Sequence, residues 1–423
     1  MTDAATQSTT VIDARFRGIP PGVALSGGSV RSKNWSPARG DMPLPILTLD
    51  KSALLANTKR FLDYADDAGV LLAPHAKTPM MPAFARSLVE QGAWGATVAN
   101  IQQLYTLLDA GLTRLIYASP PGGATGAAHL VKAIKPFPQA EILVFLDSVE
   151  AVKTLHAAMA ESDDVKIRGL VELGFGRTGA RKLETAIGIR DAMLSTNGKI
   201  ALAGVATYEA AAVQGADYRP AFDELFQLVE DTFLAVRDAA GKETSLTITA
   251  GGSMYFDEVV ARLAPFAREY GASLVLRSGA IFFSDDGLYK QALESVARRS
   301  ASSQVAASIR PVLSLWAEVI SRPEPDLAIC GFGMRDAPND QGLPVIRRAF
   351  RNGGQLDIGS GAAPVVEKLN DQHAFVRQSE RLCVGDIVEL GISHPCTAFQ
   401  RWNLVYGLDD EGIVDEILAT HFG

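Results

Sequence analysis

Three cysteines in 423 residues (Cys330, Cys383 and Cys396) are too few for a disulfide framework and point to a reducing compartment. No apolar run reaches the roughly 18 residues that a membrane-spanning helix needs, so no membrane partner is expected. A basic region followed by an apolar stretch is missing from the N-terminus, so no signal peptide is expected and the chain reads as cytoplasmic. Basic residues are not in excess. Forty Lys and Arg against 48 Asp and Glu give a net charge of −8, which argues against nucleic acid as a partner. Low-complexity tracts are also missing. What is present is 47% hydrophobic residues, ordinary for a core-forming protein, over a length that suits a large domain plus a smaller one.

Residues 1–40 are rich in Gly, Ser, Thr and Pro and read as an irregular arm, followed by a short strand, "LPILTLD" (44–50). The segment 50–69 reads as a helix that Asp50 can cap and Gly69 can end. From there apolar runs alternate with helical patterns: "VLLAPHAK", "GATVAN", "RLIYASP", "EILVFLDS", "IRGLVELG", "ALAGVATYE", "SLTITAGG" and "ASLVLRSG". Each run is apolar throughout, as strands buried on both faces are. Eight βα units predict an α/β fold, a (β/α)8 TIM-type barrel over residues 50–305, with a doubly wound open sheet as the structural alternative. After about residue 305 strand-like runs follow one another with Gly, Pro and Asp punctuation. Residues 306–423 therefore predict a second, mostly β domain, which the strand in 1–49 joins.

In such a barrel the active site lies at the C-terminal strand ends, and phosphate commonly binds after strands 7 and 8. Those strands end in "TAGGS" and "RSGAI", whose glycine turns let backbone N–H groups approach an anion. Gly251, Gly252, Ser253, Gly279 and Ala280 are the candidates. A glycine turn also serves simply to reverse the chain. Lys77 ends the first barrel strand, in "PHAKT". A lysine there is either a rim residue with its stem on apolar surface or, facing a phosphate site, an imine-forming amine that holds pyridoxal 5′-phosphate. His75, two residues earlier, would face the same way on a strand, and either tunes that amine or packs beside it. Arg177 in "GFGRTGAR" and Tyr208 in "TYEA" end strands 5 and 6, and can face an anionic group at the same mouth or lie on the surface.

The β domain adds a second constellation. In "GISHPCTAFQRW", His394 and Cys396 are two apart, so in an extended segment both side chains point one way. Imidazole and thiolate suit Zn2+, and few protein ligands leave positions open for chemistry. The pair also reads as structural. His129, His156 and His421 have no companions and are left as structural or surface residues.

The order of these pieces resembles the D-serine dehydratase / D-threonine aldolase family of fold type III pyridoxal-phosphate enzymes, over about residues 43–410. The resemblance rests on "PHAKT", "GRTG", Tyr208–Glu209, "AGGS", "SGA", "GD" at 385–386 and the late H-x-C. It implies Lys77 as the cofactor lysine, Arg177 near the cofactor, and a divalent metal (zinc, or alternatively manganese) on His394 and Cys396. Cysteine at the second metal position is typical of the dehydratases and aspartate of the aldolases. The resemblance further implies a homodimer. The chain departs from the family after "PHAKT", where Pro79-Met80 stand, and after Tyr208–Glu209, where Ala210-Ala211 stand, so the substrate's side chain is left open.

The reaction this predicts is dehydration of a D-3-hydroxy amino acid such as D-serine or D-threonine, giving a 2-oxo acid and ammonia. A retro-aldol cleavage to glycine and an aldehyde is the nearest alternative, and an amino acid racemase, which needs no metal, is a further one. A non-catalytic pyridoxal-phosphate carrier is disfavoured by the presence of residues 306–423.

Overall fold

The computed structural model describes residues 11–25, 30–160, 162, 165–213, 215, 217–300, 302–359 and 363–422. Chain packing divides it into two units: Met1–Asn57, Phe282–Gln291 and Ile309–Gly423 form unit 1, and Thr58–Ile281 with Ala292–Ser308 form unit 2.

The first long strand, β1 (Ile46–Asp50), belongs to unit 1. The next eight build unit 2: β2 (Leu71–Leu72), β3 (Ala96–Val98), β4 (Arg114–Tyr117), β5 (Glu141–Leu146), β6 (Ile167–Leu173), β7 (Ile200–Thr207), β8 (Thr247–Ala250) and β9 (Ser273–Leu276). Seven fall inside the apolar runs read from the sequence, and β7 begins one residue before its run, at Ile200. They pair parallel in the order β2-β9-β8-β7-β6-β5-β4-β3. The two ends of that order meet through a parallel bridge between His75 and Thr97. Backbone bonds from Trp94 to Leu72 (2.7 Å), Thr97 to Pro74 (3.0 Å) and Ala76 to Thr97 (2.8 Å) complete the junction. The sheet is thus a nearly closed barrel, not an open doubly wound sheet. Helices such as Pro82–Glu90, Arg219–Ala240 and Phe256–Glu269 alternate with the strands.

Alternate residues of the strands, Leu143 and Phe145 on β5 among them, join Ile116, Leu170, Ala203, Ala206 and Val275 in one buried cluster. Each large side chain there stabilises the barrel by about 1.5–3 kcal/mol relative to exposure. The helix over 50–69 forms as expected, from Lys51 to Asp67. Its Ala53 N–H bonds the Asp50 carboxylate at 2.8 Å, and Gly69 takes φ +65° just beyond its end.

Unit 1 is mostly β. Its strands are β1, β10 (Leu313–Glu324), β11 (Leu327–Cys330), β12 (Val345–Arg351), β13 (Val365–Leu369), β14 (Ala374–Arg377), β15 (Ile387–Gly391), β16 (Leu404–Leu408) and β17 (Val414–Ala419). The long β10 organises them. Its first half pairs antiparallel with β1 and β15, its second half with β11. β1 also runs parallel to β16, so the N-terminal strand is built into this sheet. The arm contributes Ile19, Val30, Trp35 and Met42 to a core shared with Ile46, Trp316, Phe350 and Tyr406. Within "FVRQSERL" (375–382) the strand runs only as far as Arg377, because Gln378 turns at φ +55°.

Asn57, fully buried, holds three backbone groups of unit 1: its amide donates to Phe282 O (2.9 Å) and Arg310 O (2.8 Å), and its Oδ1 accepts the Arg310 N–H (3.0 Å). Asn57→Leu keeps the volume and leaves all three unpaired. It should cost about 3 kcal/mol or more, at about 1–3 kcal/mol per stranded group. A urea melt with an unchanged midpoint would refute this account.

Candidate active site

The barrel strands end on a cluster of cationic and carboxylate side chains. The expected site residues in unit 2 are found there, though not all in the expected roles. Strand pairing at β2 stops at Leu72, and beyond it His75 bridges Thr97 on one side and donates its N–H to Arg277 O (3.1 Å) on the other. Lys77 is not on a buried strand. It stands exposed in a turn over 76–79, closed by the Met80 N–H on Ala76 O at 2.9 Å. His75 and Lys77 therefore do not share a strand face. Their relation is instead local, with the Lys77 N–H 3.4 Å from His75 Nδ1.

Burial, with Lys77, Arg277 and Arg177 as nearby cations, holds the His75 pKa well below the ordinary imidazole value. The imidazole is therefore neutral at pH 7. Lys77 and Arg277 are also tied to His75 through the backbone, the Lys77 N–H at His75 Nδ1 and the His75 N–H on Arg277 O at 3.1 Å. Arg177 is exposed in the glycine-flanked loop after β6 and lies 4.9 Å over the Tyr208 ring. Beside it, the Thr178 hydroxyl donates to Glu172 Oε1 at 2.7 Å, while the buried Glu172 Oε2 has no partner. Burial pushes the Glu172 carboxyl up from its ordinary value.

Arg277 is a functional candidate that sequence reasoning missed. It lies at the end of β9, 6% exposed, with Nη1 on Thr249 Oγ1 (2.8 Å), Nη2 on Thr207 O (2.6 Å), and Phe145 under its guanidinium. Burial lowers its pKa to about 10, so it remains a cation. The signal available was a lone arginine in an otherwise apolar run, "SLVLRSG".

The glycine turns differ most from expectation. The N–H groups of Gly251 and Gly252 do not face open space. They donate to the two oxygens of one buried carboxylate, Glu209 Oε2 (3.0 Å) and Oε1 (2.8 Å). This corrects their reading as direct anion-binding amides: Glu209 already takes both protons. Ser253 Oγ accepts the Ile281 N–H (3.1 Å), and the Ser278 hydroxyl donates to Gly251 O (3.1 Å), so the two turns are tied together. Gly279 is required by close approach, since a Cβ there would lie 2.3 Å from His75 O. Gly279, Ala280 and Ser253 are buried, and among the described residues no hydrogen bond is donated by their N–H groups. They are the amides left for an anion.

In unit 1, His394 and Cys396 come together, but not on an extended segment. His394 caps a short helix, Pro395–Phe399, and Cys396 sits in its first turn. Burial would lower the His394 pKa, but its hydrogen bonds to Cys396 and Asp340 raise it to about 9. Nearby, Asp285 is 1% exposed. Its Oδ1 accepts the N–H groups of Gly287 (2.8 Å) and Tyr289 (2.9 Å), and its Oδ2 is buried without a partner. Burial pushes its carboxyl up to about 7. Among the described residues no three His, Cys, Asp or Glu are placed to hold one metal together. A metal here would take its protein ligands from the His–Cys pair, leaving further positions open.

An eight-stranded parallel barrel with a lysine at its mouth, joined in sequence to a β domain, defines the alanine-racemase-like class. Two family models match the chain: the alanine racemase N-terminal domain over residues 49–259, and a putative serine dehydratase domain over 312–408. D-threonine aldolase from Filomicrobium marinum is similar at 22% identity and a TM-score of 0.73, over 90% of this chain and 95% of that one. D-threo-3-hydroxyaspartate dehydratase from Delftia sp. HT23 is similar at 18% identity and a TM-score of 0.68, over 90% and 97%. A cysteine-to-alanine mutant of a D-threo-3-hydroxyaspartate dehydratase, in the metal-free form, is similar at 17% and 0.70, over 90% and 97%. At these identities the structures speak for the fold. Comparison with curated proteins finds no match. The chain carries an alanine racemase N-terminal domain followed by a putative serine dehydratase domain, and has the fold of the alanine-racemase-like barrel enzymes.

The Glu209 carboxylate fixes the β8 turn. Glu209→Ala should destabilise unit 2 by about 2–4 kcal/mol, two buried N–H groups being stranded, and Glu209→Gln, which keeps one acceptor, by less. Chemical denaturation followed by far-ultraviolet circular dichroism measures both. Equal midpoints for the two variants would show that the carboxylate does not hold the turn.

Proposed function

We propose that the chain is a pyridoxal 5′-phosphate- and divalent-metal-dependent lyase that dehydrates a D-3-hydroxy amino acid such as D-serine or D-threonine, releasing a 2-oxo acid and ammonia. The observation that carries the reading is that Lys77 beside His75, Arg177 over Tyr208 and the buried Arg277 on Thr207 O all stand at the C-terminal ends of barrel strands. An accessible primary amine, two guanidinium groups, and buried N–H groups at Ser253, Gly279 and Ala280 fit an anionic aldehyde cofactor. Bound there, pyridoxal 5′-phosphate supplies an electron sink for the bond broken at the substrate Cα.

In this reading Lys77 Nζ would hold the cofactor's aldehyde carbon and, as an accessible amine, would be the base available for a Cα proton. Arg177, held over Tyr208, faces an anionic group of cofactor or substrate. The Tyr208 ring packs on Gly252, where a Cβ would meet Tyr208 Cε2 at 2.8 Å, so cofactor loop and arginine are positioned by one side chain. His394 and Cys396 would hold the divalent metal, zinc or manganese, which would supply Lewis acidity toward a β-hydroxyl. The likeness to a hydroxyaspartate dehydratase whose cysteine mutant is metal-free supports that assignment.

Cysteine at residue 396 favours dehydration. The likeness to a D-threonine aldolase favours the second reading, cleavage to glycine and an aldehyde. A cytoplasmic homodimer is part of the proposal. It is supported by the absence of any disulfide among the described residues and by family likeness.

The deciding experiment incubates the cofactor-loaded protein with a panel of D- and L-3-hydroxy amino acids and assays ammonia, 2-oxo acid, glycine and aldehyde together. Ammonia with oxo acid, from D-substrates alone, is expected. Glycine with aldehyde would replace the dehydratase by the aldolase. Inversion without cleavage would make the protein a racemase.

Two further outcomes test the parts. Borohydride should fix the cofactor to Lys77, and Lys77→Ala should lower turnover by about 1,000-fold or more, as loss of the covalent tether and of a base of typically 100- to 10,000-fold worth implies. An adduct on another lysine would move the site. Chelation should abolish turnover with the cofactor's visible absorbance retained, and Zn2+ or Mn2+ should restore it. Turnover that survives chelation in metal-free protein would remove the metal from the reaction.

A further inference from the structure

In unit 1 the His394 ring is held from behind. Its Nδ1 lies 2.6 Å from Asp340 Oδ2, and the other Asp340 oxygen, Oδ1, accepts the Thr397 hydroxyl at 2.8 Å. Thr397 belongs to the helical turn that His394 caps, where the Ala398 N–H donates to His394 O at 3.1 Å. Two residues beyond Asp340, Gly342 O accepts the Ser393 hydroxyl at 2.7 Å. Three side-chain bonds therefore join the segment 340–342 to 393–397, and all three bear on how the imidazole is presented.

The chemistry of the ring makes this consequential. A neutral imidazole carries one proton, and only the nitrogen without it can bind a metal. An ionised carboxylate can only accept, so Asp340 keeps the proton on Nδ1, and when the ring gives up a proton for a metal it is Nε2 that bares its lone pair. Asp340 is unsuited to be a ligand itself, because one oxygen faces Nδ1 and the other holds Thr397.

We propose that Asp340, braced by Thr397, is the positioning residue that fixes the tautomer and direction of His394, so that Nε2 and Cys396 Sγ present themselves to one divalent cation. This rests on the reading of His394 and Cys396 as the metal pair. Outer carboxylates of this kind typically change metal affinity by about 10- to 100-fold when removed. A plain surface ion pair would not, since exposed pairs contribute little.

The test uses the full-length, cofactor-loaded protein, stripped of metal by a chelator and titrated with Zn2+ alone in equilibrium dialysis. Co2+ loading reports the ligand field through its visible spectrum. Asp340→Ala should bind Zn2+ about 10- to 100-fold more weakly and shift the Co2+ bands. Asp340→Asn, whose carbonyl still accepts from Nδ1–H without the charge, should fall between it and the parent. Thr397→Val, which frees Asp340 Oδ1, should weaken binding less than Asp340→Ala. The visible absorbance of the Lys77-bound cofactor should be the same in all four proteins, which separates this effect from general misfolding. If Asp340→Ala does not fold, Asp340→Asn carries the test.

Parent-like Zn2+ affinity and an unshifted Co2+ spectrum in the folded Asp340 variants would overturn the positioning role while leaving the metal pair in place. If the parent itself binds no Zn2+, the metal reading fails, and this inference with it.

Discussion

The barrel depends on how its first and last strands in the pairing order are joined. Only one ladder position, His75 against Thr97, links β2 to β3, and the chain leaves the strand two residues later. Because β2 has so little pairing of its own, the place of Lys77 is set from outside the strand. Thr97 bonds the backbone of Ala73 and Pro74, Arg277 O takes the His75 N–H at 3.1 Å, and Gly279 lies against His75 O with no room for a Cβ. An exposed lysine on a short turn would ordinarily be free to move. Here the turn is pinned on both sides by backbone contacts that tolerate little displacement. The rigidity needed to hold a reactive amine is supplied by neighbouring strands, not by burial of the amine.

Electrostatics then separates the roles of the groups at the mouth. Arg277 is a buried cation that keeps its charge by bonding Thr249 and Thr207 and by facing Glu209 and Glu172. It makes the protonated state of His75 costly and contributes a fixed positive potential. Arg177, by contrast, is exposed on a glycine-flanked loop and stacks on Tyr208. One arginine shapes the field and the other can move to meet a ligand. Two cations of the same type thus do different work because one is buried and one is not.

Much of this was legible in the sequence, for definite physical reasons. The eight barrel strands are buried on both faces, so each is an unbroken apolar run, and such runs are visible without any partner in view. Asp50 and Gly69 mark a helix because capping is local. The residues at the strand ends were found because a parallel barrel always presents the same ends of its strands to the site. What could not be read depends on contacts distant in sequence. Nothing in "TAGGS" says that its two amides are already bonded to Glu209, 42 and 43 positions earlier. Arg277 looks like a polar interruption of a strand until Thr207 and Thr249 are placed beside it. In the β domain, β11 and β13 are short and lie among charged and irregular residues, where period-two alternation is weak. The return of Phe282–Gln291 to unit 1 has no compositional mark at all.

The two candidate sites share one device. In unit 2, Glu209 spends both carboxylate oxygens on the amides of Gly251 and Gly252. In unit 1, Asp340 spends one on His394 and the other on Thr397. Both oxygens of each carboxylate already accept a hydrogen bond, and each fixes a group that could face a substrate. A carboxylate is suited to this because it accepts two directed hydrogen bonds at once and cannot donate, so it dictates where its partners' protons lie. The sequence "TYEA" offered Tyr208 as the functional residue and passed over Glu209. Its neighbour's burial is what makes Glu209 a determinant of the loop. Long-range carboxylate bonds are the part of this design that a linear reading sees last.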